Sequence, residues 1–103
     1  MILAVVEWDT GNWPKCGKHG VEKAEIDRFF ATEPSVRPDP HPEERRFRAI
    51  GPGSSGRYLF VVFTFREKEG VTYIRPLSAR YMHRKEVQRY EQDSPEAASY
   101  LHH

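Results

Sequence analysis

Cys16 is the chain's one cysteine in 103 residues, so no disulfide can close within it. That usage fits a reducing compartment such as the cytoplasm. No apolar run approaches the roughly 18 residues that a membrane-spanning helix needs. No basic flank precedes Met1-Ile2-Leu3-Ala4-Val5-Val6, and Glu7 follows at once, so this opening reads as a strand and not as an export signal. A glycine-rich phosphate loop is missing too: Gly51-Pro52-Gly53-Ser54-Ser55-Gly56 lacks the lysine and the following helix that such a loop requires. Cys16 and His19 form only a fragment of a metal pattern, with no paired cysteines and with His83 far away. Asp39, Glu43 and Glu44 lie in a proline-rich stretch, where no regular element would hold them for two-metal catalysis. No metal or other cofactor is expected.

There is little net charge, +1, but its distribution is uneven. Between Arg45 and Arg89 stand eleven Lys or Arg against three acids, leaving five cations and twelve acids elsewhere. A basic half on a neutral chain is a footprint for a polyanion or an acidic partner. Most of these cations are arginine, whose planar fork matches phosphate oxygens bidentately as lysine does not.

The length suits one domain, placed at 1–92 with a tail at 93–103. Residues 2–7 read as a strand and 21–30 as a short amphipathic helix built on Val21, Ala24, Ile26, Phe29 and Phe30. Residues 32–44 carry four prolines and read as a linker loop. Strands follow at 46–50, 57–66 and 71–77. The second has apolar residues on both faces, Tyr58, Phe60 and Val62 against Leu59, Val61, Phe63 and Phe65, which marks a central strand covered on both sides. Glu67-Lys68-Glu69-Gly70 reads as a solvated hairpin tip, Ser78-Ala79-Arg80 as the exit from the sheet, and 83–92 as a charged helix anchored by Val87 and Tyr90. The order β-α-β-β-β-α predicts an α+β fold, a mainly antiparallel sheet of three to four strands with its helices on one side.

RNA can be cut without a metal, because its own 2′-hydroxyl attacks the adjacent phosphate. The protein then needs a base, an acid and cations for the developing charge, and aromatics can stack exposed bases. Lys18, His19, Arg48, Arg80 and Tyr90 are of the right types. Each also has a plainer reading: a local cap for His19, a salt bridge to Glu86 for Arg80, a core anchor for Tyr90.

The succession Glu7-Trp8-Asp9, Lys18-His19-Gly20-Val21, Phe29-Phe30, Glu44-Arg45-Arg46-Phe47-Arg48-Ala49-Ile50-Gly51, Gly56-Arg57-Tyr58-Leu59-Phe60-Val61-Val62-Phe63-Thr64, Ile74-Arg75-Pro76-Leu77-Ser78-Ala79-Arg80 and Arg84-Lys85-Glu86 through Tyr90-Glu91 resembles the BrnT family in order and spacing. The resemblance implies a RelE-like fold and a type II toxin, an endoribonuclease that arrests translation. It also implies a BrnA-like antitoxin with a ribbon-helix-helix DNA-binding domain. Carried over, the family's lysine–histidine pair falls on Lys18 and His19, its second-strand arginine on Arg48, that of the Ser-Ala-Arg exit on Arg80, and its late tyrosine on Tyr90. Arg46, Arg57, Arg66 and Arg84 are then expected to bind RNA. Family members carry a longer helix before Lys-His-Gly than Pro14, Cys16 and Gly17 allow here. Alternatives are a degenerate toxin that grips antitoxin or RNA without cutting, and a DNA-binding protein, which lacks a reading helix. His102 and His103 lie outside the resemblance.

Overall fold

A computed structural model describes residues 5–41 and 43–93. It holds a five-stranded mixed sheet and two α-helices. The strands are β1 (Val5–Val6), β2 (Ser35–Asp39), β3 (Arg46–Pro52), β4 (Tyr58–Lys68) and β5 (Val71–Tyr81); the helices are α1 (Lys23–Ala31) and α2 (Arg84–Asp93). The strand order is β1-β5-β4-β3-β2, antiparallel except where β1 runs parallel to β5. Of the tail expected at 93–103, Asp93 ends α2, and residues 94–103 and the start of the first strand lie outside the described residues.

β4 is central, as its two apolar faces require. Leu59, Val61 and Phe63 join Ala49, Ile74 and Ala79 on one face, closed by Ile26, Phe29 and Phe30 of α1 and by Cys16 and Val21 from the loop before it. Phe30 meets Phe63 edge-on at 5.2 Å, and Phe47 stacks on Phe63 at 5.8 Å. Such ring pairs add to the burial that holds α1 to the sheet. Burial pushes the Cys16 thiol up to about 11, and the Lys15 charge offsets this only in part.

Three expectations are corrected. The prolines at 32–44 do not prevent β2, which pairs with β3 from Ser35 opposite Ile50 to Asp39 opposite Arg46. An edge strand can hold Pro38 because one of its sides needs no ladder donors. Residues 78–80 do not leave the sheet: β5 runs on to Tyr81 because Leu77 is extruded as a bulge, with Val62 opposite Ser78 and Phe63 opposite Pro76. The extra residue resets the alternation, so Ala79 and Tyr81 face α1 and Arg80 the other way. The helices, finally, lie on opposite faces. Tyr90 of α2 meets Tyr58 at 5.9 Å on the side of β4 away from α1, so the sheet carries five strands between two unequal layers.

Candidate functional site

The face opposite α1 follows from strand alternation. It carries Arg37 from β2, Arg46 and Arg48 from β3, Phe60, Val62, Arg66 and Lys68 from β4, and Arg75 and Arg80 from β5. α2 covers one end of it. Between α2 and the sheet lies a cleft of about 520 Å³, within the range of ligand sites. Ile50, Phe60, Met82 and Tyr90 supply its apolar lining, and Arg37, Arg48, Lys85 and Arg89 its cations. Phe60 is part of that lining, with the Arg80 guanidinium 4.6 Å and that of Arg48 5.4 Å from the ring centroid.

Both arginines are held by acids. Arg48 donates through Nε and Nη2 to Asp39 Oδ1 at 3.0 and 2.7 Å. Arg80 donates through Nη1 and Nη2 to the two carboxylate oxygens of Glu86, each at 2.8 Å. Glu86 also accepts from the His83 backbone N–H, and Arg80 first, then that N–H, hold its carboxyl down to about 2. The fork–fork pair ties α2 to β5. Each guanidinium thereby gives its acid two of the N–H donors that a phosphate would also take. Arg37, Lys85 and Arg89 have no ion-pair partner among the described residues.

A second charged cluster occupies the same face nearer the β4–β5 turn. Glu7, nearly buried, accepts from Lys68 at 2.5 Å, Arg75 at 2.9 Å and Arg66 at 3.2 Å, and Arg75 reaches on to Asp9 at 2.8 Å. Lys68 foremost, with Arg66 and Arg75, holds Glu7 at about 2 against the cost of its burial. Lys68 is therefore part of this network and not merely a solvated hairpin tip.

The expected site residues divide by face. Arg48 and Tyr90 line the cleft, Arg80 stands beside it over Phe60 and bound to Glu86, and Arg46 and Arg66 share their side of the sheet. Lys18 and His19 do not join them. Both are exposed on the loop between Cys16 and Val21, which are buried on the α1 face. Arg57 stacks over Tyr81 at 3.9 Å, also toward α1, where Tyr81 donates to Glu25. Arg84 is exposed in the first turn of α2. Arg37, Phe60, Lys85 and Arg89 are additions. The spacing of 82, 85, 86, 89, 90 and 93 is a helical stripe that could have shown which side of α2 meets the sheet; Arg37 lay hidden in the stretch read as linker.

Among the described residues no three His, Cys, Asp or Glu side chains gather as metal ligands, and no helix is long and apolar enough to cross a membrane. Residues 8–86 match the family described as "Ribonuclease toxin, BrnT, of type II toxin-antitoxin system". No curated protein matches the chain.

Proposed function

The chain belongs to the BrnT family of ribonuclease toxins of type II toxin–antitoxin systems, and from that membership we propose that RNA is cut at the cleft between α2 and the sheet. The observation that carries this reading is the convergence of Arg48 and Arg80, from two different strands, on the ring of Phe60. In it the arginines hold the scissile phosphate and neutralise the charge that develops as the 2′-hydroxyl attacks. The 2′-oxygen forms its bond to phosphorus while the bond to the 5′-oxygen breaks. The 2′-hydroxyl's proton passes to water, and Tyr90, on the cleft wall, donates its phenolic proton to the leaving oxygen and regains one from water; no metal is needed. Lys18 and His19, on the far side of the sheet, take no part in this step. The architecture of the family is taken as RelE-like. Arrest of translation is the consequence in the cell, and a BrnA-like ribbon-helix-helix antitoxin neutralises the toxin by covering the arginine face.

The test is cleavage of a defined single-stranded RNA by the purified protein in excess EDTA. The expected products carry 2′,3′-cyclic or 3′-phosphate ends, and a substrate 2′-O-methylated at the cut site stays intact. A requirement for added metal, or cleavage of the methylated RNA, overturns the mechanism.

A second reading, binding without cutting, draws on the pairing of Arg48 with Asp39 and of Arg80 with Glu86, since a phosphate must displace or share these acids. Retained RNA binding with no product in the same assay would select it.

A further inference from the structure

Two arginines that must act on one phosphodiester repel each other, and here each is kept in place by an acid that the incoming phosphate competes with. Asp39 and Glu86 bind the same N–H groups that a phosphate would take. Once substrate draws those donors away, the carboxylates no longer fix either guanidinium. Phe60 remains. A ring face attracts a cation through its quadrupole and contains no lone-pair acceptor, so it holds a guanidinium without occupying an N–H. Its position follows from the sheet: Phe60 pairs with Ile50 on one side and Arg80 on the other, and Arg48 stands two residues along β3 from Ile50, on the same face. With guanidinium carbons 4.6 and 5.4 Å from one centroid, the two cations lie within about 10 Å of each other.

We propose that Phe60 is a positioning residue for RNA cleavage, an aromatic post whose ring keeps Arg48 in the cleft and Arg80 beside it while their hydrogen bonds pass from Asp39 and Glu86 to the phosphate. This rests on the cleft being the cleavage site. It assigns to Phe60 a task that apolar volume alone does not perform, so the two roles separate by substitution. Phe60→Leu and Phe60→Met keep a hydrophobic filler and remove the ring; Phe60→Tyr and Phe60→Trp keep a ring.

The experiment measures kcat and KM for the defined RNA alongside the side-chain NMR of the two arginines. In the wild-type protein the Arg80 side-chain protons nearest the ring should be shifted upfield by its current. That shift should vanish in Phe60→Leu and Phe60→Met and persist in the aromatic variants. Phe60→Leu and Phe60→Met should lose roughly tenfold in kcat/KM, the scale of one or two partly desolvated cation–π contacts, with Phe60→Tyr close to wild type. Equal activity of the leucine, methionine and tyrosine variants overturns the proposal, as do unshifted Arg80 protons in the wild type, which decides the matter even if Phe60→Leu does not fold. Arg80→Ala is the separating control. If it cuts RNA as well as wild type, the cleft reading has failed; if it is inactive while Phe60→Leu is not, only the role of Phe60 has failed.

Discussion

Glu7 shows how a single side chain organises one end of the arginine face. Its carboxylate accepts from Lys68, Arg66 and Arg75 together, so it offsets the mutual repulsion of three cations drawn from two strands. Lys68 and Arg66 are about half exposed, at 50% and 47%, whereas Arg75 is 16% exposed. Solvent screens the first two contacts and much less the third. Glu7→Gln should therefore cost about 1–2 kcal/mol, less than the loss of a fully buried pair, read as a lower urea midpoint at neutral pH. The pH dependence has a definite sign. The carboxyl is depressed in the folded chain, to about 2 from an ordinary 4.5, so its contribution is complete above about 4.5 and is lost as pH falls toward 2. Glu86, held low by Arg80, acts in the same window. Wild-type stability should thus fall between pH 4.5 and 2, and Glu7→Gln should flatten part of that fall. An unchanged acid limb in the variant would remove Glu7 from the account.

The β4–β5 hairpin turns through Glu69 and Gly70 alone, both at positive φ, 52° and 78°. Two left-handed residues in a two-residue loop make a type I′ turn, for which Asn-Gly is the favoured pair. Glycine is free there, but glutamate bears its Cβ against the following carbonyl. Glu69→Asn should stabilise the protein by about 0.5–1 kcal/mol, seen as a melting point a few degrees higher with cleavage unchanged; a lower melting point would contradict it. The hairpin and the central place of β4 could be read from residue pattern, since apolar residues on both faces of 58–63 leave few alternatives. β2 could not, because an exposed edge strand with Pro38 has neither apolar alternation nor a full set of donors. The end of β5 was concealed by Leu77: one extruded residue breaks the period of two, so Ser78-Ala79-Arg80 looks like an exit when it continues the strand. The position of Lys18 and His19 relative to the arginines is not legible in the sequence for a related reason. Local pattern places them before α1, but which side of the sheet that loop closes on is decided by Cys16 and Val21 entering the core.

At the scale of the whole molecule the sheet divides the chain's chemistry, with apolar closure by α1 on one face and arginines on the other. Seven cations, Arg37, Arg46, Arg48, Arg66, Lys68, Arg75 and Arg80, share the second face, and α2 covers only the end where Arg37, Arg48 and Phe60 line the cleft. With RNA cut at the cleft, as proposed, a strand longer than the scissile step would run across the open end, past Arg46 and Arg66. The two groups should then separate kinetically. Arg48→Ala and Arg80→Ala remove charge from the developing transition state and should lower kcat by about a hundredfold or more. Arg80→Lys should restore little, because an ammonium cannot reproduce the fork. Arg46→Ala and Arg66→Ala remove only tethering. They should raise KM severalfold, leave kcat nearly unchanged, and each reduce the slope of log binding constant against log salt by about 0.7, the value for one contact to single-stranded nucleic acid. Steady-state kinetics and RNA binding at several salt concentrations distinguish the classes. If Arg46→Ala lowered kcat as far as Arg80→Ala does, the reacting phosphate would lie on the open end of the face and not in the cleft.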